Sequence, residues 1–241
     1  MPKFFINRED ISRGQVLISG EDEKHIKTVL RAREGEEITL CDGMGMDYQC
    51  RILSLERGVL AEIISEMPCE TEPKTKITLY QGLPKADKME WIIQKCVELG
   101  VDRIVAVSTE RAIVKLDKKE GKKLERWQKI AEAAAKQSGR GKIPEICQRV
   151  LKFSEAVTEA AELDGALIPY EKEQERGLRQ FVTGFSGESV GIFIGPEGGF
   201  SEEEIALAEE SGVLPVTLGK RILRTETAGM VTTALLLYEL E

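Results

Sequence analysis

Ile194-Gly195-Pro196-Glu197-Gly198-Gly199-Phe200 and, one short amphipathic segment later, Leu218-Gly219-Lys220-Arg221-Ile222-Leu223-Arg224-Thr225-Glu226-Thr227-Ala228 decide how this chain reads. Each stretch continues an apolar, β-branched run: Val190-Gly191-Ile192-Phe193-Ile194 in the first case, Val213-Leu214-Pro215-Val216-Thr217-Leu218 in the second. Short apolar runs bounded by turn residues predict buried strands. Ligands of open α/β sheets collect at the carboxyl ends of such strands, and glycines there let backbone amides come close to a ligand. Together the two loops predict one ligand cradle in the last fifth of the chain.

Working back from that cradle, residues 74–241 alternate strand and helix patterns. Ile77-Thr78-Leu79-Tyr80 precedes a helix from about Lys88, with apolar positions at Met89, Ile92, Ile93, Cys96, Val97 and Leu99 and a stop at Gly100. Arg103-Ile104-Val105-Ala106-Val107 completes a βαβ unit. Further helices are predicted over residues 124–138 and 154–163. Ser201 with Glu204 forms a capping-box start for another, ending at Gly212. The final helix, residues 226–240, is apolar all round, which predicts burial in the core or against another subunit. The first seventy residues instead read as short strands punctuated by Asp42-Gly43 and Arg57-Gly58, with one helical piece over residues 21–31, which suggests a small β-barrel. Residues 67–74, polar and proline-bearing, read as a linker.

The bulk numbers narrow the function. The chain has 241 residues, 41% hydrophobic and 32% charged, an ordinary composition for a soluble protein. No run approaches a membrane span, and the start lacks a signal-peptide core, so a cytoplasmic location is expected. Five cysteines without a C-x-x-C pair suggest reduced structural thiols and no metal site. With His25 as the sole histidine, a catalytic triad would have to use that one imidazole. Net charge is −8, yet residues 71–150 carry 18 Lys and Arg against 11 Asp and Glu. A basic middle suits a polyanion docking on one face, and a solvated lysine-rich helix around residues 115–129 accounts for it equally. The glycine loops fit neither a G-x-G-x-x-G dinucleotide fingerprint nor a P-loop, since Leu214 and Arg221 occupy positions where the latter needs Gly and Ser or Thr.

The two loops resemble the signature loops of the bacterial 16S ribosomal RNA uridine-N3 methyltransferases, members of the trefoil-knotted SPOUT class. The resemblance extends in order through His25-Ile26-Lys27-Thr28-Val29-Leu30-Arg31, Leu83-Pro84-Lys85-Ala86-Asp87-Lys88, Gln94-Lys95-Cys96-Val97-Glu98-Leu99-Gly100, Thr109-Glu110-Arg111 and Gln137-Ser138-Gly139-Arg140. Ala86 stands where the family often has Gly. The resemblance implies an α/β fold: a PUA-like β-barrel over residues 1–70 that binds RNA, then a SPOUT-type open α/β methyltransferase domain with a deep trefoil knot over residues 74–241, holding the cofactor site and a homodimer interface. It implies S-adenosylmethionine as donor, no metal, no membrane, and 16S rRNA, within the assembled small ribosomal subunit, as partner. Cofactor-binding residues carried over are Ile168, Gly195, Pro196, Glu197, Gly198, Gly199, Leu218, Gly219, Ile222, Leu223, Thr227 and Ala228. Arg224 is the expected stabiliser of charge developing on the uracil oxygens. Glu226, with Glu197 behind it, is the expected general base, unless Arg224 and Glu226 only pair with each other to hold the loop. Arg8, Arg13, Lys24, His25, Lys27, Arg31, Arg33, Lys85, Arg111 and Arg140 are candidates for phosphate contacts. Ribose 2′-O-methylation and a non-catalytic ribosome-assembly role remain as alternatives.

Overall fold

A computed structural model describes residues 3–112 and 120–241. The lysine-rich stretch from Lys115 to Lys119 lies outside the described residues. The chain divides into two compact units, one holding Met1–Glu72 with Ala135–Ile143, the other Pro73–Ala134 with Pro144–Glu241.

The first unit contains β1 (Lys3–Phe5), β2 (Gln15–Ile18), α1 (Glu21–Lys24), β3 (Glu37–Cys41), β4 (Met46–Ser54) and β5 (Val59–Pro68). The strands hydrogen-bond in the order β1-β3-β4-β5-β2, antiparallel except for the parallel β1·β3 pair. Along β4 the buried residues are Tyr48, Cys50 and Ile52, the period of two that sends alternate side chains to one face. They pack with Phe4, Val16, Ile18, Ile26, Leu40 and Val59. The helix expected over residues 21–31 is shorter: α1 gives way at His25 to a π-helical turn through Val29, and Arg31 adopts φ +54°.

The expected linker is not free chain. Residues 67 and 68 still pair with Asp47 and Met46 as part of β5, and beyond them Glu72 is bound at both carboxylate oxygens. Its Oε1 accepts from the amides of Gly141 (2.8 Å) and Lys142 (3.1 Å), while its Oε2 accepts from Nη2 of Arg140 at 2.7 Å. Gly141 has no room for a side chain, because a Cβ would sit 2.3 Å from Cys69 Sγ. Burial alone would raise the Glu72 pKa; the Arg140 guanidinium and the two amides outweigh it and hold the carboxyl below its ordinary value.

The second unit builds one parallel sheet. Its strands are β6 (Lys76–Gly82), β7 (Arg103–Ser108), β8 (Glu145–Ile146), β9 (Leu151–Lys152), β10 (Gly165–Pro169), β11 (Ser189–Ile194) and β12 (Val213–Val216). They are ordered β12-β10-β11-β6-β7-β8, with β9 also on β7. The helices are α2 (Lys88–Leu99), α3 (Glu120–Ser138), whose last turn belongs to the first unit, α4 (Phe153–Ala160), α5 (Leu178–Gly184), α6 (Glu202–Glu210) and α7 (Thr225–Leu240). Ile77, Leu79, Ile104, Val105, Leu167, Val190 and Ile192 are fully buried, as strands covered on both faces require. Gly100 closes α2 at φ +111°. Tyr80 stacks on Phe193 at 4.5 Å between ring centres and donates its hydroxyl to Glu159, which Arg103 also holds. Helix α7 packs against α2, α5, β6 and β11, yet it leaves Leu235 and, at 84% exposure, Tyr238 uncovered. Burial pushes the Cys41 and Cys96 thiols up to about 12, so they remain protonated, consistent with structural thiols. No helix of the described residues is long and apolar enough to cross a membrane.

Replacing Glu72 with Gln removes the carboxylate charge that faces the buried Arg140 and is expected to destabilise the protein by about 1–3 kcal/mol at neutral pH. Because the folded-state pKa is depressed, the stabilisation is complete above the ordinary value of 4.5 and is lost as pH falls through the lower folded value. Denaturant melts of both proteins, taken from pH 7 down to about pH 3, should therefore converge on acidification; a gap independent of pH would contradict the assignment.

Candidate active site

Strand β10 lies between β11 and β12, so the loops that leave the three strands emerge side by side at their carboxyl ends. A cavity of about 420 Å³ opens there, lined by Pro169 at the end of β10 and Glu171 beyond it, residues 194–200 at and after the end of β11, residues 222–226 and Ala228 leading into α7, and Lys88. A second cavity of about 530 Å³ adjoins it, lined by Tyr170, Glu173, Gln174 and residues 217–221, and sharing Pro169, Glu171, Ile222, Leu223 and Ala228 with the first.

Local chemistry explains each loop. Gly199 donates its amide to the Pro196 carbonyl at 2.9 Å and sits at φ +66°, a turn conformation glycine adopts without penalty. Gly82 allows this loop to lie against β6, since a Cβ would meet Pro196 Cδ at 2.7 Å. Ser201 then caps α6: its hydroxyl accepts from the Glu204 amide, and the Glu204 carboxylate accepts from the Ser201 amide. That buried carboxylate also accepts from the Glu110 amide at 2.8 Å, while Arg111 donates to the Gly198 carbonyl. The second loop is tied to the first by Thr225, whose hydroxyl donates to the Gly195 carbonyl at 2.6 Å and accepts from Gln81 Nε2 at 2.9 Å.

Charge inside the first cavity is unevenly shared. Lys88 binds Glu197 at 2.8 Å and lies 3.5 Å from Glu226 Oε2, an oxygen that is buried without a hydrogen bond. Glu197 also accepts from the Lys85 amide. Burial raises its pKa, but Lys88 and the amide prevail and hold the carboxyl below its ordinary value. Arg224 is exposed as the N-cap residue of α7, and among the described residues its guanidinium has no ion-pair partner. The pair expected between Arg224 and Glu226 is replaced by the one between Lys88 and Glu226.

The chain matches known proteins along its length. The pattern of the RNA methyltransferase domain matches residues 71–237, and that of the RNA methyltransferase PUA domain matches residues 18–64. A ribosomal RNA small subunit methyltransferase E from Bacillus subtilis is 35% identical over the whole of this chain and 98% of its own length. The chain belongs to this methyltransferase family. The structure of the family member from Neisseria gonorrhoeae, bound to S-adenosylmethionine, superposes with a TM-score of 0.87 at 37% identity, covering 99% of this chain and 97% of that one. A methyltransferase from Legionella pneumophila, also in complex with S-adenosylmethionine, gives 0.84 at 35% identity over 98% and 96% of the two chains.

Of the site residues expected from the family resemblance, Gly195, Pro196, Glu197, Gly198, Gly199, Ile222, Leu223, Arg224, Glu226 and Ala228 line the first cavity, and Leu218 and Gly219 the second. Ile168 and Thr227 line neither. Ile168 points into the core beside Phe193 and Val213, and Thr227 turns in the first coil of α7, with its amide on the Arg224 carbonyl. Arg140 is 3% exposed and bound to Glu72, so it is not presented to a phosphate. Arg8, Arg13, Lys24, His25, Arg31, Arg33, Lys85 and Arg111 are exposed, and Lys27 is half-buried against Glu23. Lining residues of the first cavity that sequence reasoning did not assign to the cofactor or catalytic site are Lys88, Pro169, Glu171, Ile194, Phe200 and Thr225. Ala86, the position at which the family resemblance leads one to expect Gly, adopts φ +54°, a conformation that glycine takes more readily. Among the described residues no group of His, Cys, Asp and Glu is arranged to hold a metal ion.

Lys88→Met removes the cation that holds Glu197 ionised. The Glu197 carboxyl resonance, followed by NMR titration, should then move up toward 4.5; an unchanged midpoint would assign the depression to the backbone amides of Glu197 and Lys85.

Proposed function

We propose that this chain transfers the methyl group of S-adenosylmethionine to N3 of a uridine in 16S ribosomal RNA, with the assembled small ribosomal subunit as substrate. Its relatives are named for ribosomal RNA small subunit methylation, and two solved family structures hold that donor. The observation that carries the reading is Arg224, without an ion pair among the described residues, on a cavity that both glycine loops line. The donor contains a cationic sulfur and no phosphate, and the lining suits it: apolar Pro169, Leu218, Ile222 and Leu223, glycine backbone at 195, 198, 199 and 219, and the carboxylates Glu171 and Glu173. When bound, it supplies a methyl group activated by the positive sulfur.

The rest is the work of the chain's own side chains. Uracil N3 carries a proton about as weakly acidic as a tyrosine phenol, whose pKa is about 10. Arg224 donates to the uracil carbonyl oxygens and stabilises the negative charge that appears as the proton leaves. Glu226, which lines the same cavity beside Lys88, is the carboxylate that accepts that proton. Glu197, bound by Lys88 and held below its ordinary pKa, is the weaker base and serves the loop. The first seventy residues, as a PUA-like barrel, bring Arg8, Arg13, Lys24, His25, Lys27, Arg31 and Arg33 to RNA phosphates, with Lys85 and Arg111 contributing from the catalytic portion. The trefoil knot in residues 74–241 and a homodimer, consistent with the uncovered Tyr238, complete the proposal.

Purified protein, methyl-labelled donor and unmodified small subunits should yield label in 3-methyluridine after digestion. Label in a ribose-methylated nucleoside, or none, would overturn the reading. In the same assay Arg224→Ala should incorporate about 100-fold less label while binding the donor within about twofold of the parent; an equal loss of both would make Arg224 a donor anchor.

A further inference from the structure

Five residues line both cavities, and Glu171 is the only charged one; Pro169, Ile222, Leu223 and Ala228 are apolar. Glu171 is exposed, and among the described residues its carboxylate has no hydrogen bond or ion pair. It stands over the glycine loop, 3.7 and 3.9 Å from the point a Cβ on Gly199 would occupy. The other carboxylates of the first cavity are engaged: Glu197 and Glu226 both face Lys88. The neighbouring Lys172 is turned away onto Glu202, and among the described residues no cation forms an ion pair with Glu171.

A seam made of four apolar residues and one unneutralised carboxylate suits a particular kind of group. A strongly hydrated ammonium would lose its water against the apolar walls. A soft cation with its charge spread over carbon-bound sulfur fits better, because it brings charge complementarity without a demand for several hydrogen bonds. The chemical topology of the proposed donor matches: its sulfonium is the atom that joins the adenosine half to the methionine half, so a molecule spanning both cavities carries its sulfur across the seam. Resting on the donor assignment above, we propose that Glu171 binds the sulfonium charge and thereby makes the site prefer the charged donor over the neutral thioether left after methyl transfer. The carboxylate attracts the sulfonium before transfer and loses that attraction once the methyl has gone, which favours product release. The glycine at 199 keeps the space beside the carboxylate open, with no side chain between it and the seam.

Titration calorimetry on the full chain with S-adenosylmethionine and, separately, S-adenosylhomocysteine tests this without any turnover. Glu171→Gln should weaken donor binding about tenfold and product binding less than twofold, collapsing the preference for the charged ligand. Glu171→Asp, which keeps the charge, should retain most of that preference, with circular dichroism confirming that both variants fold. An unchanged ratio of the two affinities in Glu171→Gln would overturn the proposal, and so would an equal loss for both ligands, which would put the carboxylate against the α-ammonium they share. Failure of the parent protein to bind either ligand would instead overturn the donor assignment itself.

Discussion

The site depends on one buried hydroxyl. Thr225, the first residue of α7, donates to the carbonyl of Gly195 at the end of β11 and accepts from Gln81 on β6. Two loops separated in sequence by a helix and a strand are thereby fixed to adjacent central strands, and the cavity between them follows. Gln81 is fully buried and also donates to the Gly82 carbonyl, while Gly82 gives Pro196 the space it occupies. The Gln81 amide nitrogen and the Thr225 hydroxyl find their partners within this cluster, while Gln81 Oε1 is buried without one; the geometry is set by the strands rather than by the loops themselves.

Charge is handled in the same way. The basic middle of an acidic chain looks like a docking face, yet much of it is spent internally. Lys88 serves Glu197 and Glu226, Arg103 serves Glu159, Arg126 serves Glu90, Lys136 serves Asp22, and Arg140 serves Glu72. Most of the acidic partners come from the flanking thirds of the sequence, where carboxylates are in excess. In the first cavity, Arg224 and Glu171 have no ion pair among the described residues. A catalytic role for Arg224 requires this, since a guanidinium already bound to a carboxylate has less to give a developing anion.

Local signals were legible in the sequence wherever the cause is local. The Ser201 and Glu204 capping box, the stop at Gly100, and the strand ends before both loops follow from short-range chemistry, and the structure has them. Signals that depend on distant partners were not legible. Residues 67–74 have the composition of a linker, but Glu72 finds its partners almost seventy positions away. Nothing near Arg140 announces that it will be buried. Lys88 and Glu171 look like ordinary surface charges on a helix start and a polar loop, and only the convergence of β10, β11 and α7 brings them to the cavity. Ile168 lies one residue before the lining residue Pro169, and the alternation of a strand turns its side chain into the core.

The most direct measurement is donor affinity in Thr225→Val, a substitution close to isosteric that deletes both hydrogen bonds of the buried hydroxyl. Losing them is expected to cost about 1–3 kcal/mol, concentrated in the loops. Calorimetry should then find S-adenosylmethionine binding weakened at least tenfold in a protein that keeps its circular dichroism spectrum, with Thr225→Ser close to the parent. Unchanged affinity in a folded Thr225→Val protein would contradict the account, because the two loops would then hold their places without the tie.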